Sequence, residues 1–330
     1  MNWLSRAPAN LMLLGEHSVV YGYPALACAV DQFIQIEWQK IDDEQICIES
    51  TLANYQFTLQ ELKDEPLENF EHPKLRFIIH ALKAFAPHLK HGLQIVIHSE
   101  FSSTIGLGSS AAVLAAGLHG LNKITERNLE TSELFQIGRK IIIAIQGRGS
   151  ATDLAASLSG GLIYFQPQTP EHDAEIFQLN SLSIEELPLT LIYSGYKTPT
   201  ADVLKQVAEK WQAQEPLLNQ LYQLMGNTTH QAGTALSERE YPEFYRLCEV
   251  YQGLMEALGV CDETLSNLIY KMRRCGDIKA SKISGSGLGD CVLGFGQLQN
   301  CPKDISTYFS DYQQIAVQIT PLGADTETLY

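Results

Sequence analysis

The sequence predicts an α+β protein of two domains, and three observations lead there. Strand-like segments crowd the first hundred residues, long amphipathic helices dominate from about 200 to 275, and the two never settle into regular alternation. At 330 residues the chain also exceeds what one hydrophobic core usually serves. A stretch at 167–187, rich in prolines and acids and thin in apolar residues, marks a change of character. The boundary is set near 183, giving domains 1–183 and 184–330.

Taken in order, 9–14 reads as an apolar strand that stops at Gly15-Glu16-His17. Residues 24–31, short and alanine-rich, carry helical periodicity. Strand patterns follow at 33–38, 45–50, 54–59 and 93–99, where Leu93, Ile95 and Ile97 alternate onto one face. Helices are expected at 74–85, 109–122 and 131–144. In the second of these, Ala111, Ala112, Ala115, Ala116 and Gly117 form a thin face that can press closely on a sheet. Residues 160–165 and 189–194 are strands, followed by helices at 200–226, 228–236, 241–258 and 262–275. Pro216 is expected to break or kink the first of that set. Lys282 to Gly296 reads as strand–turn–strand, and a strand at 313–319 closes the chain.

The net charge of −15, from 38 acidic and 23 basic side chains, opposes a broad nucleic-acid or anionic-membrane footprint. An anionic ligand must therefore be captured locally, as a magnesium complex, against the mean field. Seven scattered cysteines without a C-x-x-C pair suggest neither a zinc ribbon nor a disulfide framework, so reduced thiols are expected. The run Leu11 to Leu14 is too short for a signal peptide or membrane span, and a cytoplasmic location is expected. The C-terminal helices have faces a homodimer could use, and equally faces for solvent.

Four short stretches carry chemistry. In Ala7 to Ala27, a strand delivers Glu16 and His17 into a turn, where they either orient a hydroxylated substrate or face water. Residues 102–112 run from a strand through Gly106 and Gly108 into Ser109 and Ser110 at a helix start. Glycines allow close approach of backbone N–H groups to an anion, and the helix N-terminus adds unpaired donors, so a polyphosphate suits this loop. Neither a Walker A loop nor a dinucleotide fingerprint is present, and a tight turn is the plainer alternative. Ser109 or Ser110 either caps the helix or offers a hydroxyl to a metal. In Gln146 to Gly161, Asp153 stands among small residues, as a base toward an alcohol or simply as an N-cap. Gly285-Ser-Gly-Leu-Gly-Asp-Cys leaves one face of a hairpin bare, for a ligand or for another backbone.

Together and in this order, these stretches resemble the GHMP small-molecule kinases, over motifs from residue 7 to residue 296. Gly15-Glu-His-Ser-Val-Val-Tyr-Gly-Tyr-Pro-Ala-Leu-Ala and Gln146-Gly-Arg-Gly-Ser-Ala-Thr-Asp look most like the mevalonate kinase branch, especially its archaeal form. The resemblance implies an N-terminal domain like domain 2 of ribosomal protein S5, with a left-handed crossover, and a ferredoxin-like C-terminal domain. It implies ATP and Mg2+, and an alcohol substrate, mevalonate or a relative. Thr104, Ile105, Gly106, Leu107, Gly108, Ser109 and Ser110 would wrap the phosphates, with Ser110 also a magnesium ligand. Asp153 would act on the substrate hydroxyl, and Glu16, His17, Thr200, Gly285 and Ser286 would line the substrate side.

Three departures qualify that picture. Asn10 stands where the family places a lysine, keeping two donors but no charge. Ile142 stands where mevalonate kinases carry a magnesium-ligating glutamate. The last loop ends Gly-Asp-Cys, similar to phosphomevalonate kinases, and puts Asp290 near the phosphates. Lys197, Arg148 and Arg6 are candidates for the cation that Asn10 lacks. Phosphomevalonate kinase, a related decarboxylase, and a nucleotide- or metabolite-binding protein with weakened chemistry are the alternatives.

Overall fold

A computed structural model describes residues 2–70, 72–102, 105–169, 172–179 and 187–329. The first half of the chain forms β1 (Asn2–Leu14), β2 (Ala25–Ile41), β3 (Gln45–Ser50), β4 (Asn54–Thr58), α1 (Leu59–Asp64), α2 (Arg76–Phe85) and β5 (Gly92–Ser99). It continues through α3 (Ser109–Ile124), α4 (Thr131–Gln146), α5 (Thr152–Ser159), β6 (Leu162–Gln166) and β7 (Glu175–Gln178). The second half holds β8 (Leu189–Tyr193), α6 (Thr200–Trp211), α7 (Glu215–Ser237), α8 (Tyr241–Leu258) and α9 (Glu263–Met272). It ends with β9 (Ala280–Ser284), β10 (Cys291–Phe295), α10 (Lys303–Phe309), β11 (Gln313–Ile315) and β12 (Asp325–Leu329).

The α+β expectation holds, in two sheets. One runs β12-β1-β2-β5-β3-β4, with β6 on the first part of β2 and β7 beyond it. Only the β3–β5 pairing is parallel. The other sheet, β11-β8-β10-β9, is antiparallel throughout and is built from a β8–helices–β9–β10–helix–β11 succession, the split βαβ pattern of ferredoxin-like domains. Helix α3 lies on β1 and β2, where its Gly120 leaves room for Trp38, while its Gly117 lets Ile78 of α2 approach. Strand β12 returns to pair with β1, so residues 325–329 sit in the first sheet although they close the chain. The expected boundary near 183 falls outside the described residues.

Residues 24–31 are not helical; they open the long strand β2. Ala25 to Val30 are all buried, between β1 on one side and β6 on the other. A strand covered on both faces loses the alternation that would identify it, and its small residues then read as helix. The helix expected at 200–226 is broken where Pro216 predicts: α6 ends at Trp211, and Pro216 occupies the first turn of α7, where its missing N–H costs nothing. The further break expected between 226 and 228 is absent, since α7 runs on through 228–236. The thiol expectation is also corrected: Cys275 and Cys301 form a disulfide, while Cys28, Cys47, Cys248, Cys261 and Cys291 are free. The pair is 26 residues apart and is brought together only when the end of α9 meets the segment before α10. No helix among the described residues is long and apolar enough to cross a membrane.

Candidate functional site

A cleft of about 700 Å³ opens between the two sheets, and most of the sequence-predicted residues line it. Its floor is the join between β1 and the glycine loop. The Asn10 backbone N–H donates to Leu107 O at 3.2 Å, which holds the loop against the strand. Gly108 has φ +64°, and a Cβ there would overlap the Asn10 amide, so only glycine fits. Gly108 is also the N-cap of α3 and no side chain caps that helix, so Ser109 and Ser110 keep their hydroxyls for the cleft. The first-turn N–H groups of α3 have no intrahelical acceptor and present a positive end to an anion.

Asn10 itself, 2% exposed, is committed inward. Its Nδ2 donates to Ser157 Oγ at 2.9 Å and approaches Gly108 O at 3.5 Å, while Ser157 Oγ donates to Pro8 O at 2.7 Å. Both amide protons thus serve the protein.

Asp153 sits in the first turn of α5 and is not its N-cap; that place is taken by Ala151, at φ 64°. Its carboxyl opens onto the cleft, yet the surrounding walls still desolvate it and raise its pKa. The Lys197 charge opposes that rise and the Asp290 charge adds to it. Lys197 Nζ lies 3.1 Å from Asp290 Oδ2. Asp290 in turn lies against the glycine loop: a Cβ on Gly106 would overlap its carboxylate. Burial raises the Asp290 pKa too, with Lys197 opposing.

The other end of the cleft holds Glu16 and His17. Glu16 Oε1 accepts from Lys282 Nζ at 2.5 Å, both side chains being almost wholly buried, and Lys282 also donates to Ile283 O. Burial still outweighs the lysine and raises the Glu16 pKa. The His17 ring faces Ser286 O, 2.8 Å from Nε2. A carbonyl can only accept, so Nε2 carries the proton and Nδ1 is a bare acceptor. Burial lowers the His17 pKa to about 4, which keeps the ring neutral. Glu16 Oε2 and His17 Nδ1 are buried without partners among the described residues, two acceptors suited to hydroxyl donors.

Asn10, Glu16, His17, Gly106, Leu107, Gly108, Ser109, Ser110, Asp153, Thr200, Gly285 and Ser286 all line this one cleft. Ile105 does not: its side chain is buried in the core, and its carbonyl accepts from Cys291 Sγ. Thr104 lies outside the described residues. Of the candidate cations, Arg6 is away from the cleft, 4.0 Å from Asp325, because β1 carries it to the β12 side of the sheet. Arg148 lines the cleft and donates to Ala201 O at 3.2 Å. Ile142 also lines it, so the position of the family glutamate presents an apolar wall. Sequence reasoning missed Lys282, Arg76 and Phe77. A lysine inside the otherwise small and apolar run of β9 was the available signal for the first; nothing in the local pattern marked the other two.

Two family models match the chain: "GHMP kinases N terminal domain" over residues 76–161 and "GHMP kinases C terminal" over residues 211–304. The mevalonate kinase of Pyrococcus furiosus is 29% identical over 320 residues, covering 93% of this chain and 92% of that protein. A solved structure from Listeria innocua superposes with a TM-score of 0.83 at 18% identity, covering 99% of both chains. The Methanococcus jannaschii mevalonate kinase superposes at 0.78 and 21% identity, covering 96% of this chain and 98% of its own. With both family models matched in order and the two-domain fold shared end to end, the chain belongs to the GHMP kinase family.

Proposed function

We propose that this kinase transfers the γ-phosphoryl group of ATP to the primary hydroxyl of mevalonate, giving 5-phosphomevalonate. One observation carries the reading: Asp153 and the amide-lined glycine loop open onto the same cleft, beside the acceptor pair Glu16 and His17. The loop amides and the α3 N-terminus hold the triphosphate. Glu16 Oε2 and His17 Nδ1 take hydroxyl donors of the substrate. Asp153 accepts the proton of the attacking alcohol as its oxygen bonds to the γ-phosphorus. The bond from that phosphorus to the β-bridging oxygen breaks, and its electron pair leaves on ADP.

Magnesium fits this cleft as a cation brought with the nucleotide. Among the described residues no three His, Cys, Asp or Glu side chains form a cage for it, and the uncommitted Ser110 hydroxyl is its protein ligand. When bound, it neutralises charge on the phosphate oxygens. Support for the acceptor comes from the curated mevalonate kinases, of which the Saccharolobus solfataricus protein is a further example at 28% identity. Arg76 and Arg148 on the cleft wall favour a second reading with a phosphorylated acceptor.

The test is ADP release with ATP, magnesium and each of mevalonate, 5-phosphomevalonate, galactose and homoserine. Mevalonate is expected to give the highest kcat/KM. Asp153→Asn should lower kcat by about 10²- to 10⁴-fold while sparing affinity for a non-hydrolysable ATP analogue. An active Asp153→Asn enzyme overturns the reading.

A further inference from the structure

The phosphoryl-transfer chemistry proposed above asks for a fixed cation near the transferring group, and the β1 position that would supply it is neutral. Asn10 has no donor to spare, since its amide protons point to Ser157 and Gly108. We propose that Lys197, presented by Asp290 from the opposite wall, is a catalytic residue of this site and contacts the transferring phosphoryl group in place of position 10.

The geometry is built rather than incidental. Lys197 lies in the loop between β8 and α6, and that loop is tied to the glycine hairpin before β10 at three points. The Asp290 N–H donates to Tyr196 O at 2.7 Å, the Ser194 N–H donates to Asp290 O at 2.9 Å, and Thr198 Oγ1 donates to Leu288 O at 2.6 Å. The loop carrying the lysine therefore has little freedom to swing away. Its ammonium is aimed by the Asp290 carboxylate, which itself abuts Gly106 of the phosphate loop. The charge thus sits where the glycine loop and Asp153 both feel it, and it opposes the rise that burial imposes on the Asp153 pKa.

Two of the three departures from the family pattern then meet at one residue. An aspartate beside a phosphate loop is repulsive by itself, and an asparagine at position 10 is short of one positive charge. The lysine neutralises that aspartate while paired with it, and it brings an ammonium to the cleft where position 10 offers none. The pair is also open enough to work, because the Lys197 side chain is 36% exposed and can exchange a carboxylate oxygen for a phosphoryl oxygen. Neither other candidate has this placement: Arg6 is outside the cleft, and Arg148 is engaged with the Ala201 carbonyl. Asp290 is a positioning residue in this scheme, acting through the lysine.

The inference rests on the kinase reading, and the experiment separates the two. Wild type, Lys197→Met, Lys197→Arg, Asp290→Asn and the double variant Asn10→Lys/Lys197→Met are compared by ADP release with the best acceptor of the panel. Calorimetry adds affinities for magnesium–AMPPNP and for ADP–aluminium fluoride with the acceptor, a mimic of the transition state. Removing an electrophilic group of this kind costs about 10²- to 10³-fold in kcat, expected for Lys197→Met. Its affinity for the transition-state mimic should fall by a similar factor, while affinity for AMPPNP stays within about threefold of wild type. Lys197→Arg and the double variant should recover at least tenfold of the loss, roughly one decade of the effect. Asp290→Asn should lower kcat without raising the KM for ATP.

A Lys197→Met enzyme with wild-type kcat overturns the inference and leaves the kinase reading intact. So does a variant that loses AMPPNP and transition-state affinity in equal measure, which makes Lys197 a nucleotide anchor only. A wild-type protein that binds nucleotide but releases no ADP with any acceptor overturns the kinase reading, and this inference with it.

Discussion

The Glu16–Lys282 pair is 2.5 Å apart with side chains 2% and 0% exposed, whereas the Asp290–Lys197 pair, at 3.1 Å, leaves its lysine 36% exposed to the cleft. The functional groups are the same, and each carboxylate keeps one buried oxygen without a partner among the described residues. The first pair crosses from the end of β1 to β9, joining the two sheets; the second lies within the C-terminal half and leans on the phosphate loop. Burial separates their roles. Charges removed from water cannot trade partners without a penalty of several kcal/mol per ion, so Glu16 and Lys282 act as a frame. A half-solvated lysine can leave its carboxylate for a phosphate at small cost, so Lys197 acts as a tool.

The sharpest way to break this contrast is to remove each lysine and measure stability. Lys282→Met strands the Glu16 carboxylate in a dry site, with only the backbone of Glu16 and Gly285 left to oppose the burial that already raises its pKa. Unfolding in urea should show a loss of about 3–5 kcal/mol. The double variant Glu16→Gln/Lys282→Met removes both charges and should regain much of that loss. If Lys282→Met is as stable as wild type, the pair is not a frame and the contrast fails.

His17, next to Glu16, sharpens the comparison from the side of pH. Its pKa is lowered to about 4 from the ordinary 6.5 by burial. Between those values the unfolded imidazole takes up a proton that the folded one refuses, so the unfolded state binds more protons there. Stability conferred by the neutral ring is therefore full above pH 6.5, falls as pH drops, and is exhausted near pH 4. The change is about 3 kcal/mol across that window. His17→Gln, which keeps a donor toward Ser286 O but does not titrate, should flatten the urea-derived stability profile by that amount relative to wild type. An identical slope in both proteins would place the ring in water.

How much of this was legible beforehand follows from the range of the interactions. Gly106, Gly108 and the small residues around Asp153 announced themselves because a backbone that must approach a ligand needs glycine and alanine locally, and local needs are written in consecutive residues. The Glu16–Lys282 pair was not legible, since its members stand 266 positions apart and only folding makes one a partner of the other. The strand at Ala25–Val30 was misread because burial on both faces erases its period. Asn10 was legible as a departure, but whether its amide faced the cleft or the protein depended on Ser157, 147 residues away. Lys197 stood out only as one of three candidates; the loop ties that aim it were invisible until β8 and β10 were seen side by side.

The smallest expected effect tests the tool half of the contrast. Lys197→Met should change unfolding free energy by no more than about 1 kcal/mol, because a partly exposed ion pair gains little over hydration. Two terms set the sign. Losing the ammonium removes an attraction to Asp290, which destabilises slightly; it also leaves Asp290 and Asp153, both with raised pKa values, facing one another without the charge that opposed the rise. Both effects grow as those carboxyls ionise, so the deficit should shrink as pH falls and protonation relieves the repulsion. Urea unfolding over a pH series reads this directly. A loss near that of Lys282→Met would make Lys197 a second structural anchor, and its half-open position would then have no bearing on catalysis.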